Sequence, residues 1–133
     1  MFGSAGARPD RLGLHAGTLR PCPPTRNCVS SEAGTPASQL VAPLPAPSGA
    51  GEMTRLAAII EAWPRTKIVS AGEGYIHAEF TSLLLRFVDD VEFRFDPARS
   101  VIHVRSASRI GRSDLGVNRK RVEGLRAKWA SPR

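Results

Sequence analysis

From Ser100 to Val122 the chain reads SVIHVRSASRIGRSDLGVNRKRV, passing from apolar alternation through a polar loop into a basic helix with no linker between them. Val101, His103 and Arg105 fall on one parity and Ile102, Val104 and Ser106 on the other, the period-two signature of a strand with one buried face. Ile102 and Val104 are therefore predicted to point inward. Ser113 or Asp114 can accept hydrogen bonds from the free N–H groups of a helix beginning near Leu115. Beyond that start, Leu115, Asn118, Val122, Leu125 and Trp129 recur at three and four residues, and Arg119, Lys120, Arg121, Arg126 and Lys128 lie largely off that stripe. The helix reads as amphipathic and basic outside, with Asn118 the odd polar residue inside.

The same logic runs back along the chain. Met53, Leu56, Ile60 and Trp63 make one helical stripe over 52–63, which Pro64 ends. Thr66–Ser70, Tyr75–Ser82 and Phe87–Phe95 read as strands, the first two joined by Ala71-Gly-Glu-Gly74. Residues 1–51 hold eight of the eleven prolines, so little regular structure is expected there. The predicted fold is α+β: a four-stranded antiparallel sheet with a helix before it and a helix after it, both on one face, plus an irregular N-terminal strap. The expected division is a flexible N-terminus over 1–9 and one domain over 10–130, with the strap at 10–51 and the helix–strands–helix body at 52–130.

Charge is unevenly placed. The formal net charge is +7, and residues 105–133 hold nine Lys/Arg against Asp114 and Glu123, whereas residues 1–104 balance ten against ten. Such a tail attracts nucleic acid, acidic proteins or anionic lipid. Nucleic-acid binding ranks below a small anion or an acidic protein partner, because motifs for base readout and clustered aromatics are missing. Apolar runs such as Leu83-Leu-Leu85 are far short of the roughly 18 residues of a membrane span. The N-terminus MFGSAGARPDRLG lacks the apolar core of a secretory signal, and a cytoplasmic location is expected.

The blocks RPDRLGLHAGTLRPCP, NCVSS, GYIHAEFTS, FRFDP and VIHVRSASRIGRSDLGVNRKRVEGLR together resemble the family catalogued as domain of unknown function 1499, nearly end to end. Arg26 stands before Asn27-Cys28 where proline is associated with relatives, so the local turn differs there. The resemblance implies a fold and a recurrent polar set, with no activity attached, and it implies that the strap belongs to the domain.

Candidate chemistry falls into three groups. Cys22 and Cys28 read as small buried hydrophobes, or as a bridge if relatives work outside the cytoplasm; zinc would need two more ligands, and a catalytic Cys28 would need His77 or His103 within reach. His77, Glu79, Glu92, Arg94, His103 and Arg105 share one sheet face. That face forms a polar cleft for an anion if the strap crosses it, and otherwise cross-strand pairs facing water. On the opposite face Asp89 lies among Phe87, Val91, Phe93 and Phe95 and needs a partner. Arg109 is the expected counter-charge, with Asn118 in the same cluster, which either pins the last helix to the sheet or forms a site.

The resulting expectation is non-enzymatic binding of an anionic small molecule or a protein partner. Arg105, Arg109, Arg112, Asp89 and Asn118 are the candidate contacts, and neither metal nor cofactor is called for. The rivals are a small enzyme using Cys28 or the His77/Glu79/His103 group, and non-specific nucleic-acid binding through the basic last helix. Oligomeric state is open.

Overall fold

The structure, a computed structural model, describes residues 8–84, 86–111 and 113–131. In chain order the elements are β1 (Leu14–His15), β2 (Thr18–Leu19), β3 (Cys28–Ser30), β4 (Leu44–Pro45), α1 (Glu52–Glu61), β5 (Thr66–Gly72), β6 (Tyr75–Thr81), β7 (Val88–Asp96), β8 (Val101–Ser108) and α2 (Val117–Ala130). β5 to β8 form an antiparallel meander. The β5–β6 turn closes through Gly74 at φ +70°, a conformation glycine adopts without steric cost.

The expected four-stranded sheet is corrected. β3 and β4, both from the Pro-rich strap, lie end to end along the outer edge of β8, with Val29 opposite Ser106 and Leu44 opposite Ile102. The main sheet therefore has six strands, and β1 and β2 make a separate two-stranded ribbon. The reason is the edge of β8: a long apolar strand left at an edge exposes a row of unpaired N–H and C=O groups. Short strap segments satisfy that row, and strands of two or three residues are too short to announce themselves by periodicity.

Ile76, Ala78, Phe80, Val91, Phe93, Ile102 and Val104 on the sheet pack with Leu56 and Ile60 of α1 and Val122, Leu125 and Trp129 of α2 in one buried cluster. The pattern has its expected cause, since each side chain sits at its period-two or helical position. The helix start differs from expectation. Leu115 and Gly116 have φ of +55° and +82°, so neither is helical, and Leu115 is 89 % exposed instead of buried. Asp114 still caps the helix from outside, accepting the backbone N–H of Gly116 at 2.8 Å and of Asn118 at 2.9 Å. No helix among the described residues is long and apolar enough to cross a membrane.

Candidate functional site

The polar face of the sheet is covered. Residues 8–23 of the strap cross it, and Asp90, His77, Glu92, His103 and Arg105 are buried beneath them. Burying this many ionisable groups is tolerable only with partners, and the partners come from the strap as much as from the sheet.

Arg94 donates to both oxygens of Glu32, at 2.6 and 2.8 Å, and the Leu19 N–H donates to the same carboxylate at 2.9 Å. Burial raises the Glu32 carboxyl, and these hydrogen bonds outweigh it, so the group lies below its ordinary value. His103 faces the Ser31 hydroxyl through Nδ1 at 2.9 Å and Asp96 through Nε2 at 3.0 Å. Ser31 also accepts the Val104 N–H at 2.9 Å. Glu32, Arg94, Asp96 and His103 flank a cavity of about 580 Å³ that also touches His15 and Arg99.

Glu92 accepts the Gly13 N–H at 2.7 Å and the Tyr75 hydroxyl at 2.5 Å. Burial and the Glu92 carboxylate hold the Tyr75 hydroxyl protonated, well above its ordinary range. His77 Nε2 meets Asp90 at 2.7 Å, and Arg109 donates to Asp90 at 2.8 and 3.0 Å and to Glu79, which also accepts from Arg8. His77, Glu79 and Asp90 bring one ligand atom each within 4.8 Å of one another, the spacing of a metal set. Arg109 already supplies a cation to two of the three.

A second cavity, about 410 Å³, lies between strap and sheet, bordered by Arg11, Arg20, Cys22, Asp90, Arg105 and Arg109 with Pro9, Leu12 and Pro21 as its apolar wall. Here the polar accounting does not close. The Arg105 side chain is 10 % exposed, and its nearest carboxylate contact, Glu92 Oε1, is 3.7 Å away. The Nε of Arg105, the Nε of Arg20 and Oε1 of Glu92 are buried without a hydrogen-bond partner. Burial pushes the Arg105 guanidinium below its ordinary value, against the pull of Glu92, Asp90 and Tyr75.

The expected residues are thus split. Arg105 and Arg109 share the second cavity, while Arg112 lies outside the described residues. Asp89 and Asn118 are on the opposite face, and the Asp89–Arg109 pairing is corrected: Arg121 holds Asp89 at 2.7 Å. β8 keeps its alternation past Ser106, which carries Arg109 to the face of Arg105 and away from Asp89. Asn118, fully buried, accepts from Ser106 at 2.6 Å and Arg121 at 2.9 Å, and its amide meets Ser108 and Asp114. The His77/Glu79/His103 group is divided between two networks. Arg11, Arg20 and Glu32 were missed, although a carboxylate and two arginines in a Pro/Gly-rich segment without local partners are themselves a signal.

Cys22 and Cys28 form a disulfide, so of the two main readings from sequence the bridge holds in place of free buried thiols. The bridge ties the cavity wall to β3. Replacing both cysteines by Ser should lower the unfolding free energy by about 2 kcal/mol, the chain-entropy value for so short a loop. Urea unfolding reads it, and an unchanged midpoint would show that Gln39, which donates to the carbonyls of Pro23 and Thr25, holds the strap without the bridge.

No curated protein and no solved structure matches the chain. Most of the strap, the six-stranded sheet and α2 up to Trp129 fall within a match to one family model over residues 18–129, and by that extent the chain belongs to the family described as Protein of unknown function (DUF1499).

Proposed function

We propose that this protein binds a small anionic molecule, a carboxylate or a phosphate, in the cleft between strap and sheet, without transforming it chemically. The observation that carries this reading is Arg105: a nine-tenths buried guanidinium whose Nε has no partner, lining a cavity that Arg11, Arg20 and Arg109 also border. A planar guanidinium matches carboxylate and phosphate oxygens two at a time, and such an anion would satisfy the Nε of Arg105 and of Arg20 together. The reading requires neither metal nor cofactor.

The rival readings have less support. A thiol nucleophile at Cys28 would exist only after reduction of the bridge. The basic helix spends its arginines on the protein itself: Arg119 donates to the carbonyls of Ser38 and Leu40, Arg126 to those of Ala42 and Pro43, and Arg121 pairs with Asp89. These contacts turn the donors of three helix arginines toward the protein instead of toward the phosphates of a nucleic acid. The disulfide also favours an oxidising compartment over the expected cytoplasm.

The test is thermal and urea unfolding in phosphate and in malonate at constant ionic strength. A ligand present at a hundred times its Kd should add about 2.7 kcal/mol to stability, and Arg20→Gln should weaken its binding about tenfold. Stabilisation no greater than chloride gives would mean that water alone satisfies Arg105, and the reading would fail.

A further inference from the structure

Apolar side chains are exposed at one end of this molecule far more than elsewhere. Among the described residues eight large hydrophobics are exposed, and six of them are Leu83, Leu84, Phe87, Ile110, Leu115 and Val117. Sheet register brings these six together. Thr81 at the end of β6 lies opposite Val88, Asp89 opposite Ser108, and Ala107 opposite Cys28, so the β6–β7 loop, the β8–α2 loop and the chain leading into β3 emerge at the same end. α2 begins there too, since Asn118 bonds Ser108 and the Asn27 carbonyl.

The exposure is extreme where it matters: Leu84 is 87 % exposed and Leu83 63 %. Both sit in the turn between β6 and β7. Single exposed apolar residues are ordinary, whereas a clustered set marks an interaction surface. The exposed charge around it is mostly positive. Arg26, Arg65, Arg86 and Lys120 are exposed at this end. Of the nearby carboxylates, Glu79 and Asp90 are held by Arg109, Asp89 by Arg121, and Asp114 by the α2 backbone, leaving Glu61 exposed at the close of α1.

We infer that this end docks on an anionic lipid bilayer, with Leu83, Leu84 and Leu115 entering the interface and the surrounding cations facing the headgroups. Protruding leucines on separate loops suit a deformable bilayer better than a partner helix, which needs a groove, and the ring of cations supplies complementarity to anionic headgroups. The surface uses none of the residues that line the anion cleft, and its failure leaves the cleft reading standing.

Co-sedimentation of the full chain with vesicles of phosphatidylcholine and phosphatidylglycerol, against phosphatidylcholine alone, tests it. The protein should sediment with the anionic vesicles and be released by salt. Leu84→Glu should weaken partitioning about tenfold or more, and Arg86→Gln about fivefold, with the melting curve and the phosphate titration of both variants unchanged. Failure to sediment with anionic vesicles overturns the inference, as does equal binding to the neutral ones. A concentration-dependent dimer that Leu84→Glu dissolves would also overturn it, by making a second copy of the chain the occupant.

Discussion

Replacing Glu32 by Gln should lower the unfolding free energy by about 3–5 kcal/mol, because the bidentate partner of Arg94 is lost while the guanidinium stays almost enclosed. The side chains of Arg94 and Glu32 are 12 % and 10 % exposed, so water cannot take over the lost bonds fully. The Leu19 N–H would keep only a weaker, neutral acceptor. Because Glu32 stands in the strap and Arg94 in β7, the damage should appear first as release of the strap. Amide exchange at Leu19 and Gly13 should therefore accelerate before that of the sheet. Exchange that stayed uniform across the chain would show the strap and sheet to be one cooperative unit. The pH dependence follows with a definite sign. Glu32 lies below its ordinary 4.5, and Asp90 below its ordinary 3.8. In each case burial pushes up and is outweighed, for Glu32 by the Arg94 bonds and for Asp90 by those of His77 and Arg109. The unfolded chain thus takes up these protons first. The stability they contribute is complete above about pH 4.5 and is lost as pH falls through the folded-state values. In Glu32→Gln the acid limb of the stability curve should be shallower than in the parent, and an identical limb would rule out Glu32 as a source of acid sensitivity.

Arg121→Met should cost a similar amount at pH 7, about 3–5 kcal/mol, through the carboxylate it leaves behind. Asp89 is 6 % exposed, and Arg121 is the cation that reaches it, at 2.7 Å. The same arginine stacks 5.2 Å from the centroid of Phe80 and donates to Asn118 and Ser106, so one side chain ties α2 to three strands' worth of core. Burial raises Asp89 above its ordinary 3.8, ahead of the lowering by Arg121. Without the arginine it should rise further and protonate under mild acid, so the loss in Arg121→Met should be smaller at pH 4.5 than at pH 7. A double-mutant cycle with Asp89→Asn should show a coupling of about 1–3 kcal/mol. The corresponding Asp89/Arg109 cycle should be additive within about 0.5 kcal/mol, because those two side chains lie on opposite faces of the sheet. Coupling in the second cycle and none in the first would reverse the assignment of the counter-charge.

The identity of Asp89's partner shows where sequence reasoning stops. Parity along 87–95 and 101–106 is a local property, set by the alternation of Cβ atoms across a strand. It placed Asp89 toward the core, with Phe93, Val91 and Ile102, and it placed His77, Glu92 and Arg105 on the other face. Helical period did the same for Leu125, Val122 and the polar Asn118. These assignments need no knowledge of what lies across the fold. The last strand, however, runs two residues further than its clear alternation, and those two residues decide that Arg109 serves Asp90 and Glu79. The start of α2 turned on Leu115 and Gly116 adopting positive φ, which a stripe of apolar spacings does not register.

The strap carries the same lesson for the candidate site. Its composition announced irregular backbone, and irregular it is between elements of two and three residues. Which edge it pairs with and which face it covers were decided by tertiary structure alone. β8 needed hydrogen-bond partners for its outer edge, and the charged face of β6, β7 and β8 needed donors and acceptors that the sheet could not supply. The sequence by itself determined the amphipathic elements and the two polarities of the sheet, because those are matters of period. The tertiary structure decided that Glu32, Gly13 and Leu19 close over Arg94 and Glu92, that Cys22 joins Cys28, and that Arg20 meets Arg105 across a cavity. Those contacts join residues 6 to 85 positions apart, and partner choice at such separations depends on the packing of the whole chain, which no local pattern encodes.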